Sequence, residues 1–422
     1  MDRIVVEGGA PLSGTVEVGG AKNSVLPIMA AVLLTDEELE VHRVPKLRDV
    51  HSQCLILESL GCSVERDLEA GTARARVQNE DLVTAPYELV KTMRASICVL
   101  GPLLARRQRA RVSLPGGCVI GVRPIDLHLR GLEKLGAKIR LRGGYVEAEA
   151  DRLRGTTMYL GGTFGSTVLG TANMLMAATL AEGETVLECA AQEPEIVDLC
   201  HCLTAMGARI EGIGSHCLRI EGVDQLHGAQ HAVIPDRIEA GTFLIAAAMC
   251  GQGVTVDGLH PPDLLCLLES LRGIGATVEV GETHVRVTAP DRAQPMDLST
   301  LPFPGFPTDL QAQMMALLCR ADGISMVHER IYPDRFIHVA ELLRMGASIR
   351  KEGPSAIVTG VDRMFGAPVM ASDLRGSAAL VLAGLVADGE TEVDRVYHID
   401  RGYERIDARL NALGARIRRV VS

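Results

Sequence analysis

A chain of 422 residues with 47% apolar side chains holds material for roughly two or three ordinary domains; with 3% aromatics and no Trp, its cores must be built from Leu, Ile, Val, Ala and Met. A formal net charge of −10 excludes a protein that holds nucleic acid through a global basic field. The eleven cysteines are scattered through apolar runs such as CLILESLG and ALLCRAD, which excludes a disulfide framework and reads as reduced thiols in the cytoplasm.

In chain order, MDRIVVEGG reads as a strand and lacks a basic-then-apolar leader. No apolar run reaches the roughly 18 residues of a membrane span, so a soluble cytoplasmic protein with neither a membrane nor a nucleic-acid partner is expected. From residue 22 two helical patterns alternate. The first is apolar nearly all round: AKNSVLPIMAAVL, MRASICVLGPLLA, STVLGTANMLMAATLAEG, IEAGTFLIAAAMCGQG, TDLQAQMMALLCRADG and LRGSAALVLAGLVADG, each predicted to be a helix buried within its domain. The second is an apolar stripe ending in glycine: LESLGCSV, LEKLGAKI, LTAMGARI, LRGIGATV, LLRMGASI and LNALGARI. Their glycines, Gly61, Gly136, Gly207, Gly275, Gly346 and Gly414, recur every 68 to 75 residues. Each predicts a helix closed by a left-handed glycine and followed by a strand. Asp49, Asp126, Asp198, Asp263, Asp334 and Asp400 are the expected N-caps of these helices.

Six such units use up the chain, but the sixth is short by about the length of residues 1–21. IVVEGGAPLSGTVEVGG resembles LRIEGVDQLHGAQHAVIP and AIVTGVDRMFGAPVMAS, so the N-terminal strands are expected to complete the last unit. Joining the ends suits a ring, and two closed groups of three avoid a central hole. One domain, 22–234, would hold repeats one to three and the segment of Cys118; the other, 1–21 with 235–422, would hold repeats four to six. Two chain crossings between domains suit hinge closure around a water-excluding cleft.

The unusual polar residues fall at helix starts. Lys22, Arg94, Ser166, Glu239, Asp309 and Arg375 open the apolar helices, and Arg123, Arg335 and Arg401 open glycine-closed ones. Helix N-termini attract anions, so a cation there calls for one. A structural ion pair, such as Asp334 beside Arg335, would answer for any single arginine. Six basic residues in equivalent places favour a site for a polyanionic small molecule. GGAKNS has the wrong spacing for a phosphate-binding loop, and GGTFGS is not a dinucleotide fingerprint. Cys200-His201-Cys202 has no second ligand pair, so no metal site is read there. Taken alone, Cys118 in SLPGGCVIGVRPIDLH reads as an exposed thiol on a Pro-Gly-Gly turn.

The segments GGAKNSVLPI, KTMRASI, SLPGGCVIGVRPIDLH, EPEIVD, PDRIEAGTF, FPTDLQAQ, DRFIHV, SDLRGSAALVLAG and HIDRGYERI together resemble the enolpyruvyltransferase family, in its sugar-nucleotide branch, from one end of the chain to the other. The resemblance implies an α/β fold, a two-domain inside-out α/β barrel, each domain made of three pseudo-symmetric repeats with buried helices and outer sheets. It implies transfer of the enolpyruvyl group of phosphoenolpyruvate to the 3′-hydroxyl of UDP-N-acetylglucosamine, the first committed step of peptidoglycan synthesis, with release of phosphate by C–O cleavage and no cofactor. It places Lys22, Arg123 and Arg401 on the phosphate, Asn23 on the same ligand, and Arg335 and Arg375 on the carboxylate. The nucleotide would contact Arg94, Arg123, Pro124, Ile125, Asp126, Leu127, Gly165, Ser166, Thr167, Val168, Asp309 and Ile331. Asp309 would take the hydroxyl proton during attack, being far too weak a base to ionise it beforehand. Cys118 would protonate the methylene carbon from a mobile lid, which also implies sensitivity to the epoxide fosfomycin.

Two positions depart from the family pattern: FGSTVLGTANMLM, with Leu169 where glycine is common, and His51, where some relatives carry an acid. The alternatives are transfer to another uridine nucleotide in secondary metabolism, and a non-catalytic paralogue that binds UDP-sugars.

Overall fold

The computed structural model describes residues 2–115 and 125–421. The described residues divide into two compact units, one of 20–115 with 125–234, the other of 2–19 with 235–421. Each has its own apolar core. No helix among the described residues is long and apolar enough to cross a membrane.

Both helix families form. Val168–Ala178, Arg237–Cys250 and Leu374–Val386 are buried over almost their whole length. So are Lys22–Ala30, Leu100–Arg107 and Gln311–Leu318, although each of these adjoins a short 3-10 turn, at Ala31–Leu34, Arg94–Val99 and Thr308–Leu310 respectively. Pro27 and Pro102 lie in the first two helices, where a missing N–H breaks the regular ladder. The six repeat glycines all take positive φ, from 84° to 103°, as helix-terminating residues should.

The aspartate caps do not form. None of the six glycine-closed helices has a side-chain cap; the side-chain caps seen are Thr167, Asp236 and Asp373, on the buried family. Asp49 and Asp126 sit inside the first turn, Asp198 deeper in its helix, and Asp263, Asp334 and Asp400 before theirs. Tertiary partners claim most of these carboxylates. Asp49 pairs with Lys22 at 2.8 Å, Asp198 with His231 at 2.7 Å, Asp263 with His260 at 3.2 Å and Asp400 with Arg419 at 2.7 Å.

Each repeat contributes to a four-stranded sheet in which the outermost pair is parallel and the rest antiparallel. The parallel edge strand always comes from the repeat before. Thr84–Ala85 joins the second sheet, Thr157–Tyr159 the third, and Ala229–Ala232 returns to pair with Leu39–His42 of the first, closing a ring of three. The other unit closes through the N-terminal segment. Arg3–Glu7 lies between Glu390–Asp394 and Arg416–Val420 in the sixth sheet. Leu12–Glu17 pairs in parallel with Gly251–Asp257 of the fourth, the same edge-strand exchange that Ala229–Ala232 makes with the first sheet, so by that pattern it belongs to the sixth repeat.

The turn between those strands has counterparts. The N–H of Gly8 bonds Gly389 O at 3.1 Å, as Gly222 bonds Gly183 O and Gly360 bonds Gly323 O. A Cβ on Gly8, Gly222 or Gly360 would sit 1.9, 1.6 or 1.8 Å from the carbonyl oxygen of Ala387, Ala181 or Ala321. Only glycine fits that approach, and it recurs because the three turns do one job.

Candidate functional site

In the unit that contains residues 235–421, helix starts bring Asp309, Arg335 and Arg375 together. Arg335 Nη1 donates to Asp309 Oδ1 at 2.7 Å and to Thr308 Oγ1 at 3.0 Å. Arg375 Nε donates to Asp309 Oδ2 at 3.2 Å. The alternative pairing of Arg335 with its neighbour Asp334 is not made; Arg335 pairs with Asp309, and Asp334 lies 3.9 Å from Lys351. Arg375 enters through the second residue of Leu374–Val386, whose first turn is capped by Asp373, accepting from Arg375 N at 3.1 Å and Gly376 N at 3.3 Å.

Arg375 is 1% exposed, and neither of its terminal nitrogens has a hydrogen-bond partner. Burial works against its charge, but Tyr403, Asp309 and Asp236 outweigh that and hold its pKa above the ordinary arginine value. Arg335 is likewise shifted up, burial being outweighed by Asp309 and Asp373. A buried guanidinium with two donors to spare is built to meet an anion, a carboxylate by preference, whose two oxygens match the fork.

Ile331 stands in a loop organised by a carboxylate that sequence inspection missed. Buried Glu329 accepts from Thr300 Oγ1 at 2.7 Å, Thr308 Oγ1 at 2.9 Å, Ile331 N at 2.9 Å and Tyr332 N at 3.0 Å. It thereby ties the Ile331 loop to the residue preceding Asp309. Arg401 is half-buried in the turn before Ile406–Ala412, and its charge helps hold His398 below the ordinary histidine value, behind the larger effect of burial.

In the other unit, Lys22 is the first residue of Lys22–Ala30 and pairs with buried Asp49 at 2.8 Å. A cation on the positive end of a helix needs a counter-charge, which is the signal by which Asp49 could have been read as a partner. Asn23 follows, half-buried. Asp198 accepts from Ser24 Oγ and from Ile234 N, fixing the same helix start from behind.

Arg94 opens the turn Arg94–Val99 near buried His128. Burial, and secondarily the charge of Arg94, pushes the His128 pKa down to about 4. Asn173 Nδ2 lies 2.9 Å from His128 Nδ1 and donates to Ile97 O at 3.0 Å, while Asn173 Oδ1 accepts from Gly101 N at 2.8 Å. An amide NH₂ can only donate, so His128 is neutral with its proton on Nε2.

Ile125 precedes the helix Asp126–Lys134, and Leu127 packs on Gly162, whose missing Cβ would be 3.2 Å from Leu127 Cδ1. Gly162 and Gly165 exchange backbone hydrogen bonds at 2.8 and 3.2 Å, with Gly165 at φ +99°. Ser166 follows, Thr167 caps Val168–Ala178 by accepting from Gly170 N, and Val168 begins the helix. Leu127 and the Gly165–Val168 segment therefore adjoin, whereas Cys118, Arg123 and Pro124 lie outside the described residues. Cys200 and Cys202 are buried while His201 is exposed, and no group of His, Cys, Asp or Glu among the described residues is arranged to hold a metal ion.

Residues 6–410 match the family described as EPSP synthase (3-phosphoshikimate 1-carboxyvinyltransferase). The UDP-N-acetylglucosamine 1-carboxyvinyltransferase of Anaeromyxobacter sp. (strain K) is 57% identical over 424 residues, covering 100% of both chains. Its namesake from Nitratidesulfovibrio vulgaris (strain DP4) is 53% identical over 422 residues, covering 99% of each. Among solved structures, the enolpyruvyl transferase NikO from Streptomyces tendae matches with a TM-score of 0.89 at 24% identity, over 100% of this chain and 99% of that one. EPSP synthase from Acinetobacter baumannii matches with a TM-score of 0.72 at 17% identity, over 100% of both. At those identities the structural likeness is one of fold.

Proposed function

The chain belongs to the EPSP synthase family, and from that premise we propose that it transfers the enolpyruvyl group of phosphoenolpyruvate to the 3′-hydroxyl of UDP-N-acetylglucosamine, releasing phosphate, in the first committed step of peptidoglycan synthesis. The full-length relatives at 53–57% identity support that choice of substrates. The observation within the molecule that carries it is the pair of buried arginines on Asp309, one with two unpartnered donors.

In this reading Arg335 and Arg375 hold the substrate carboxylate, and Lys22, Arg123 and Arg401 hold the phosphate with Asn23 beside them. Cys118 gives a proton to the methylene carbon, which makes the neighbouring carbon electron-poor. The sugar hydroxyl attacks that carbon while Asp309 takes its proton, forming one C–O bond. The phosphate C–O bond then breaks and a methyl proton leaves, restoring the double bond, so no oxidant or reductant is consumed. Arg94, Ile125–Leu127, Gly165–Val168 and Ile331 hold the nucleotide. The ten described cysteines are free, which suits work in the reducing cytoplasm.

The test is phosphate release and mass spectrometry of the product with phosphoenolpyruvate and a panel of uridine nucleotides. Release that requires UDP-N-acetylglucosamine, and a product enlarged by the enolpyruvyl group, is expected. Turnover only with another nucleotide would reassign the acceptor, and no release with any would leave a binding protein. Cys118→Ser should lose most turnover; full activity would remove the thiol from the mechanism.

A further inference from the structure

Behind Asp309 and Arg375 runs a buried chain of side chains drawn from separate elements. Thr242 comes from Arg237–Cys250, Gln313 from Gln311–Leu318, Arg375 from Leu374–Val386, and Tyr403 from the turn before Ile406–Ala412. Each of the four is at most 1% exposed. In such a place the direction of every hydrogen bond can be worked out from donors and acceptors.

Thr242 Oγ1 gives its proton to Ile238 O at 2.9 Å, so in its 2.9 Å contact with the Tyr403 hydroxyl the tyrosine is the donor. Gln313 Nε2 gives one proton to Asp309 O at 3.0 Å and shares the other between Thr242 Oγ1 at 3.1 Å and Tyr403 Oη at 3.2 Å. Tyr403 therefore spends its one proton on Thr242, leaving its oxygen to accept from Gln313, while the guanidinium of Arg375 lies against its ring with Cζ 5.2 Å from the centroid. Burial pushes the Tyr403 phenol up, more than Arg375 pulls it down, so it stays protonated as that pattern demands.

We infer that Tyr403, acting with Gln313 and Thr242, is a positioning residue that fixes both members of the Asp309–Arg375 pair for the carboxylate of the substrate. Gln313 holds Asp309 by its main chain, and Tyr403, itself held by Gln313 and Thr242, supports Arg375 with its ring face. Tyr403 also lies two residues from Arg401, so one segment sets two of the proposed anion contacts. The inference rests on the enolpyruvyl transfer proposed above.

The test compares wild type with Tyr403→Phe, Thr242→Val and Thr242→Ser, measuring kcat, KM for each substrate, and Tm. Tyr403→Phe keeps the ring but removes the hydroxyl that Thr242 and Gln313 hold, and should raise KM for phosphoenolpyruvate about fivefold, the scale of one neutral hydrogen bond, with KM for the sugar nucleotide nearly unchanged. Thr242→Val should shift the same KM in the same direction by less, and Thr242→Ser, which keeps the hydroxyl, should restore it. A folded Tyr403→Phe enzyme with unchanged kinetics would overturn the inference, as would equal rises in both KM values with a lowered Tm. Should Tyr403→Phe fail to fold, Thr242→Val decides: a selective rise supports the inference and no change overturns it. Wild-type protein that releases no phosphate would instead overturn the proposed reaction, and the inference with it.

Discussion

Replacing Asp309 by Asn keeps the side-chain volume and removes the charge that two buried arginines share. Arg335 is 6% exposed and bonds Asp309 at 2.7 Å; Arg375 is 1% exposed and bonds it at 3.2 Å. Hydrogen bonds to charged groups contribute roughly 1.5–3 kcal/mol each, and the longer of these belongs at the weak end. Together they amount to about 4 kcal/mol before screening. The Asp309 side chain is 24% exposed, so solvent takes part of that, leaving about 3 kcal/mol. Asn also turns an NH₂ group towards one guanidinium, which cannot accept it, while Arg335 keeps Thr308. For a unit of about 200 residues, a loss near 3 kcal/mol lowers Tm by roughly 6–12 °C. Thermal unfolding by circular dichroism at neutral pH should show that drop, and phosphate release should be lost. A variant as stable as wild type would refute the reasoning, because the cost of burying the carboxylate would then cancel its attraction to both arginines.

Stability should fall on acidification. His128 and His338 are held down to about 4 from an ordinary 6.5, chiefly by burial, so between those values the unfolded chain takes up protons that the folded one refuses. Their contribution is therefore whole above about 6.5 and is lost as pH falls through about 4, at up to ~1.4 kcal/mol per pH unit for each histidine. His338→Asn should flatten the Tm–pH curve in that window; parallel curves would contradict the assignment. Gly222→Ala should cost more than about 3 kcal/mol, since its Cβ would meet the Ala181 carbonyl oxygen at 1.6 Å. Gly183→Ala, at φ +85° in open space, should cost only ~1 kcal/mol, and equal Tm losses would sink the steric account. Iodoacetamide applied to the native protein should spare Cys98, Cys200, Cys202 and Cys319, whose thiols burial pushes up to about 12. Peptide mapping that found Cys200 labelled before unfolding would contradict that burial.

The repeat was legible because its signals are local. An apolar stripe and a terminating glycine lie within one turn or two of each other, and all six glycines adopt the expected φ. The strand exchange between repeats was not, since an edge strand such as Leu12–Glu17 chooses its neighbour by tertiary geometry. The aspartates were misread for a related reason: an acid near a helix start suits a cap, but Asp49, Asp198 and Asp400 each have a cationic or polar partner far along the chain. At the site, the positions of Asp309, Arg335 and Arg375 at helix starts could be read, while their union on one carboxylate, 26 and 66 residues apart, could not. Glu329 lies in none of the quoted segments, and Tyr403, although inside HIDRGYERI, carries no role there; only the hydrogen-bond pattern singles them out.

The interleaving of Arg3–Glu7 between two strands of the sixth sheet sets an order on biosynthesis. A ribosome makes Glu7 409 residues before its partner Arg416, so the strand Arg3–Glu7 must wait for that neighbour while all the intervening residues are added. The described strands of the unit of residues 20–115 and 125–234 are all made before residue 235 is added. The other cannot close its ring until Arg416–Val420 clears the exit tunnel, which makes it the half most exposed to chaperones and to truncated messages.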